Sequence, residues 1–69
     1  MQTFLVYTKS VQTPQGKVNQ EIGIEEVGPE LSVLDGRDLV VNKEGNLFKV
    51  VEKIANLQSG ELRILVRPA

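Results

Sequence analysis

The stretch from Asp38 to Val51, DLVVNKEGNLFKVV, restricts the fold more than any other part of the chain. Two apolar runs, Leu39 to Val41 and Leu47 to Val51, flank Asn42-Lys43-Glu44-Gly45-Asn46. That loop has the composition of a type I turn closed by a left-handed glycine. The Asn42 side chain can accept hydrogen bonds from the backbone just ahead of it, and Gly45 can take a positive φ without a Cβ clash. A β-hairpin is the expected result. With Asn42 opposite Asn46, the register places Val41 against Leu47, Val40 against Phe48 and Leu39 against Lys49.

The second arm of this hairpin carries two competing patterns. Phe48, Val50, Val51 and Ile54 are β-branched or aromatic and favour strand. Leu47, Val50, Val51, Ile54 and Gln58 also fall on one helical stripe, with Asn46 as a possible cap and Gly60 as a possible terminator. An amphipathic helix over residues 46–58 is therefore the alternative. Against it, no acid stands three residues after Asn46, and Lys49 lies in the first turn, where the helix dipole disfavours a cation.

The remaining segments read as strands separated by glycine and proline. Thr3 to Val11 alternates Phe4, Val6 and Thr8 with Leu5, Tyr7 and Lys9, which makes it a first strand. Pro14-Gln15-Gly16-Lys17 reverses the chain into a second strand, Val18 to Val27, in which Ile22 and Ile24 are expected to face the core. Gly23 marks a bend, a bulge or a close approach of another chain segment. Gly28-Pro29-Glu30 ends that strand, because proline has no N–H for a ladder. Leu31 to Leu34 forms a short apolar crossing, and Asp35-Gly36-Arg37-Asp38 is a sharp turn. Gln58-Ser59-Gly60-Glu61 is a further hairpin turn leading into a last strand, Leu62 to Val66, closed by Pro68.

Sixty-nine residues make one domain, close to the size at which a single core only just outweighs chain entropy. The chain has no cysteine for a disulfide or thiolate metal site, a composition suited to a reducing cytoplasm. Its amino terminus has no basic leader and only four consecutive apolar residues, so it reads as part of the fold rather than as a targeting segment or a membrane span. A formal charge of −1 provides no bulk attraction to nucleic acid or to an anionic membrane. Phe4, Tyr7 and Phe48 are the only aromatic residues, so Val, Ile and Leu must fill the core.

Five strands on short connections predict an all-β fold, a five-stranded meander closing into a small barrel. The α+β alternative keeps a small sheet and the helix at 46–58. A long first hairpin, a diverging turn near Asp35-Gly36 and a three-strand meander are together similar in layout to SH3-like barrels. The resemblance covers most of the chain and implies that fold. It does not carry a ligand site, because the tryptophan and the acidic-aromatic segment that grip proline-rich peptides in SH3 domains are absent.

Without His or Cys, the commonest general base, metal ligands and thiol nucleophile are missing, and no enzyme is expected. Adjacent Glu25 and Glu26 point to opposite faces of a strand and cannot work as a pair. Asp35 and Asp38 offer two carboxylates to a hard cation, fewer than such a site needs, and turn formation accounts for both. The six glycines are spread one to a turn or strand break rather than gathered into a phosphate loop, so no cofactor or small-molecule substrate is indicated. The anomaly is that the C-terminal meander looks apolar on both sides. Leu39, Val41, Leu47, Val51, Ala55, Leu57, Leu62, Ile64 and Val66 form one set, and Val40, Phe48, Val50, Ile54 and Leu65 the other. The second set is covered by the first hairpin, turned inward by a bulge near Val50-Val51, or used to bind a partner.

These patterns predict a non-enzymatic interaction module that binds a protein partner or itself through Phe48, Val50, Ile54 and Leu65, rimmed by Arg63 and Arg67. The alternative is a weak nucleic-acid-binding barrel using Lys43, Lys49, Lys53, Arg63 and Arg67. A cross-strand ion pair between Arg67 and Glu52 is the structural role expected for that arginine.

Overall fold

The computed structural model describes all residues, Met1 to Ala69. The fold is nearly all-β, with β1 (Gln2–Thr13), β2 (Gly16–Val27), a 3-10 helix (Pro29–Val33), β3 (Leu39–Val41), β4 (Leu47–Asn56) and β5 (Glu61–Pro68). The sheet order is β2-β1-β5-β4-β3. Neighbours are antiparallel except β1 and β5, which run parallel with Leu5 opposite Ile64 and Tyr7 opposite Val66. The five strands are thus not one meander. A hairpin, β1-β2, and a three-strand meander, β3-β4-β5, are joined through the parallel pair, and the sheet remains open, with β2 and β3 at its edges.

Local turn chemistry explains the hairpins. Asn42 Oδ1 accepts hydrogen bonds from the N–H groups of Glu44 and Asn46 at 3.0 and 2.9 Å, and Gly45 takes φ +84°. The β3-β4 register is the predicted one, with Val41 opposite Leu47, Val40 opposite Phe48 and Leu39 opposite Lys49. The Asp35-Asp38 turn closes in the same way. Asp38 Oδ2 accepts from the N–H of Asp35, Asp35 Oδ1 accepts from the N–H of Arg37, and Arg37 pairs with Asp35. These bonds hold the Asp35 carboxyl below its ordinary range, the backbone N–H of Arg37 contributing most. Both aspartates are thereby committed to the turn.

The crossing segment decides where the core lies. It leaves β2 at Val27, opposite Thr3, and enters β3 at Leu39, whose cross-strand neighbours Lys49 and Arg67 lie at the far end of β5. It must therefore traverse one face of the sheet from end to end. Leu31 and Leu34 pack from this segment onto Leu5, Phe48, Val50, Ile64 and Val66, and Lys53 Nζ fastens it by donating to the Ser32 carbonyl at 2.9 Å. That covered face is the inner one. Apolar burial there is the main favourable term available to a chain of this size.

Several sequence expectations are corrected by this arrangement. Residues 46–58 do not form a helix: Leu47–Asn56 is a strand paired with β5 along its length and with β3 at its start. Two-sided pairing satisfies its backbone as a helix would, while its branched side chains suit a pleated surface. Phe48 and Val50 are core residues, 9% and 2% exposed, whereas Leu39, Val41 and Leu47 lie on the opposite, outer side. A bulge at Val51 lies between these two halves of β4: Val50 pairs with Val66, but Glu52 pairs with Leu65. This is the bulge expected near Val50-Val51, and one extra residue switches the face of every side chain beyond it.

The last hairpin turn is Leu57-Gln58-Ser59-Gly60, one residue earlier than expected, because Asn56 pairs with Glu61 and Asn56 Oδ1 accepts the N–H groups of Gln58 and Ser59. Leu57, expected in the core, sits on that turn in solvent. Arg67 consequently lies opposite Lys49, not Glu52. Ile22 and Ile24 are also exposed rather than buried. The inward positions of β2 are Gly23, Glu25 and Val27, which pair with Tyr7, Leu5 and Thr3, and Ile22 is the extra residue of a second bulge. At Gly23 the Tyr7 ring lies over the strand, and a Cβ there would meet it at 3.7 Å, an ordinary contact distance.

Candidate interaction surface

Direct cross-strand partners share a face, so the registers define the outer side of the sheet. One row runs Ile24, Val6, Leu65, Glu52 across β2, β1, β5 and β4. The next runs Glu26, Phe4, Arg63, Ile54. Val6 is fully buried between its larger cross-strand neighbours, while Ile24 and Ile54 are 55% and 44% exposed and Phe4 and Leu65 are half-buried. No chain segment crosses this side. The result is an apolar area of Ile24, Phe4 and Leu65 around Val6, with Ile54 set apart from Phe4 by Arg63, in a molecule where only eight of 69 residues are buried.

Of the residues singled out in the sequence, Ile54, Arg63 and Leu65 come together here, and Arg67 lies at the end of the same face. Phe48 and Val50 do not. Phe4, Val6 and Ile24 belong to the surface and escaped the sequence reading. The alternation of Phe4 and Val6 with Leu5 and Tyr7 was visible, but it does not tell which side the crossing segment covers.

Charge on the outer face is mixed on β2, β4 and β5: Glu21 and Glu26 share β2 with Lys17, Arg63 and Arg67 share β5 with Glu61, and Lys49 shares β4 with Glu52. Lys49 and Arg67 are like charges directly opposite each other, an arrangement that costs energy when left alone. Lys9 and Ser10 join them around a hollow of about 420 Å³ that no acidic side chain lines. The other cations of the C-terminal half are engaged: Lys43 with Glu25 at 3.5 Å, Arg63 with Glu61 at 3.5 Å and Lys53 with the Ser32 carbonyl.

On the inner side, a second hollow of about 460 Å³ lies between β2 and the β3-β4 turn, lined by Tyr7, Ile22, Glu25, Lys43 and Phe48 among others. Tyr7 Oη donates to Glu25 Oε1 at 2.7 Å, and the Tyr7 ring meets Phe48 edge-on with centroids 4.9 Å apart. Burial, reinforced by the Glu25 carboxylate, pushes the Tyr7 hydroxyl up to about 12. The hydrogen bond from Tyr7, with help from Lys43, holds Glu25 below its usual range. The trio ties β2 to the β3-β4 turn across the gap between the two sheet edges.

Compared with known proteins, the chain matches no family model, no curated protein and no solved structure. No helix is long and apolar enough to cross a membrane.

Proposed function

We propose that the chain is a non-enzymatic interaction module that docks on a protein surface through the outer face of its sheet. The observation that carries this reading is the set of exposed and half-buried side chains Ile24, Phe4, Leu65 and Ile54 on the outer face, grouped around the buried Val6 and interrupted by Arg63. A compact monomer of this mass exposes about 4300 Å² by surface scaling; this chain, at 7.6 kDa, exposes 4849 Å². Its radius of gyration, 12.3 Å, is likewise larger than the roughly 11 Å expected for 69 residues. Exposed apolar side chains such as Ile24 and Ile54 favour association. An SH3-like half-barrel is the finer fold reading we favour, and the cysteine-free composition fits a cytoplasmic setting.

Chemical unfolding of a dilute Ile24→Lys, Ile54→Lys double variant tests the proposal. If the face serves docking, the midpoint stays within about 0.5 kcal/mol of the parent, as for surface substitutions. A loss of about 2 kcal/mol or more would make these residues part of the core and withdraw the reading.

Weak nucleic-acid binding is the competing reading. Of its five residues, Lys49 and Arg67 lie together, and Lys9 adds a third cation beside them. Binding to short oligonucleotides at low salt, weakening steeply as salt rises, would support it. No binding at low salt ends it.

A further inference from the structure

We infer that the free edge of β2 between Gly16 and Ile22 binds a second copy of this chain, the two β2 strands pairing antiparallel about a two-fold axis that passes beside Asn19 perpendicular to the sheet. The path of β1 carries the inference. β1 pairs with β5 only from Gln2 to Tyr7, whereas its pairing with β2 runs on to Thr13 and Gly16. The far part of the β1-β2 hairpin is therefore a two-stranded ribbon with no third strand, an arrangement only marginally stable in water. Its β2 side is an edge of the sheet, and every residue there from Lys17 to Ile24 is exposed. The backbone groups on that edge follow from the other side of β1. The Gln2 N–H donates to the Gly60 carbonyl just before β5, so even-numbered residues of β1 turn their backbone groups toward β5 and odd-numbered ones toward β2. Lys9, Val11 and Thr13 thus bond to Gln20, Val18 and Gly16. The N–H and C=O groups of the intervening residues, Lys17, Asn19 and Glu21, point away from the sheet.

The regular part of this edge is bounded at both ends. The turn at Pro14-Gln15 precedes Gly16, and at Ile22 the bulge interrupts the strand, beyond which Lys43 pairs with Glu25. Asn19 is the midpoint of that segment. An axis there sets Asn19 opposite its own copy and Lys17 opposite Glu21 of the second copy, twice by symmetry. Each outward residue then exchanges both of its backbone hydrogen bonds with the residue facing it. A centre one residue to either side still lets outward groups meet, but it sets Asn19 opposite Lys17 or opposite Glu21 and loses the match of charge. Lys17, Asn19 and Glu21 share one face with Gln12, Ser10 and Thr8, so the opposite charges meet on the same side of the joined sheet. Charged side chains ordinarily keep a free edge from pairing with other strands. On this edge they admit one register with one partner, a second copy. Two ribbons thereby become one four-stranded sheet, β1-β2-β2-β1. The axis stands perpendicular to the sheet, so both outer faces remain uncovered and point the same way, and the inference is independent of the docking proposal.

Sedimentation equilibrium and amide hydrogen exchange of the full chain, from micromolar to millimolar concentration, test the inference. The expected species has twice the 7.6 kDa chain mass. Its formation should slow exchange of the Lys17, Asn19 and Glu21 N–H groups roughly tenfold or more, whereas those of Val18 and Gln20, bonded to β1 in the single chain, should be protected at every concentration. Asn19→Pro removes an N–H that no bond within the chain uses, so this variant should keep the circular dichroism of the parent and sediment as a monomer. Lys17→Glu and Glu21→Lys are substitutions at exposed positions, and each should weaken the dimer roughly tenfold, because each sets like charges opposite each other twice. Both in one chain should restore it. A monomer at millimolar concentration overturns the inference. So does a dimer that leaves Lys17, Asn19 and Glu21 unprotected, or one indifferent to the charge swap. The unfolding midpoint of dilute Ile24→Lys, Ile54→Lys tests the outer face separately, since neither residue lies in the paired segment.

Discussion

Replacing Phe48 discriminates between its two possible roles, core residue and exposed anchor. Its ring is 9% exposed, packs with Leu5, Val50, Ile64 and Val66, and meets Tyr7 edge-on at 4.9 Å. Truncation to alanine at such a site costs about 3–5 kcal/mol. A chain of this length has a total stability of roughly 3–10 kcal/mol, so Phe48→Ala would consume much or all of it. Phe48→Leu is the measurable version. It keeps most of the apolar volume and loses the aromatic pair, about 0.5–1.5 kcal/mol, together with a packing mismatch of similar size. The expected loss is therefore about 1–3 kcal/mol, equivalent to a fall in Tm of roughly 5–20 °C for a domain this small. Urea and thermal unfolding followed by circular dichroism at dilute concentration would measure it, with Ile54→Ala on the outer face as the contrast, expected to cost under about 1 kcal/mol. Equal effects at the two positions, or a larger one at Ile54, would refute the assignment of inner and outer faces.

Other consequences concern the polar contacts. Asn42→Ala removes the acceptor of two backbone N–H groups in the β3-β4 turn and should destabilise the chain by about 1–2 kcal/mol in urea unfolding, whereas Asn42→Asp should retain most of the stability. Thr8→Val is nearly isosteric but takes away the buried hydroxyl that donates to the Val66 carbonyl at 2.9 Å, so a loss of about 1–2 kcal/mol is expected; no loss would mean that this bond contributes nothing net. Glu25 and Asp35 have folded-state values below their ordinary 4.5 and 3.8, so their contributions are complete above those values and disappear as pH falls through the folded ones. Acid unfolding monitored by circular dichroism should show this, and Glu25→Gln should flatten it. Tyr7 is displaced upward, to about 12, so its contribution is complete below pH 10 and is lost as pH rises through that higher value. Absorbance titration of the phenolate in the parent and in Glu25→Gln checks this, with the midpoint expected to move down in the variant.

The local structure was legible in the sequence where its cause is local. Asn42 and Gly45 specify their turn by hydrogen bonds and a backbone angle confined to five residues, and the β3-β4 register follows from it. Asp35 to Asp38 close on themselves in the same manner, and the branched and aromatic residues of β1 and β5 identify strands, whereas β4 stayed open between strand and helix until its pairing with β3 and β5 decided it. The candidate surface was only partly legible: Ile54, Leu65, Arg63 and Arg67 were found, but they were grouped with Phe48 and Val50, which belong to the core. Alternation reveals two faces and is symmetric between them. The choice of inner face depends on the path of residues 28–38 across the sheet and on bulges at Ile22 and Val51, each of which changes the facing of all that follows in its strand. Parallel pairing of β1 with β5 brings together residues nearly sixty positions apart, and no local preference encodes it. Sequence alone therefore determined the turns at Asp35–Asp38 and Asn42–Asn46 and the strand character of most of this protein. Tertiary structure decided which side of each strand became core, because that choice depends on long-range burial rather than on any short stretch of chain.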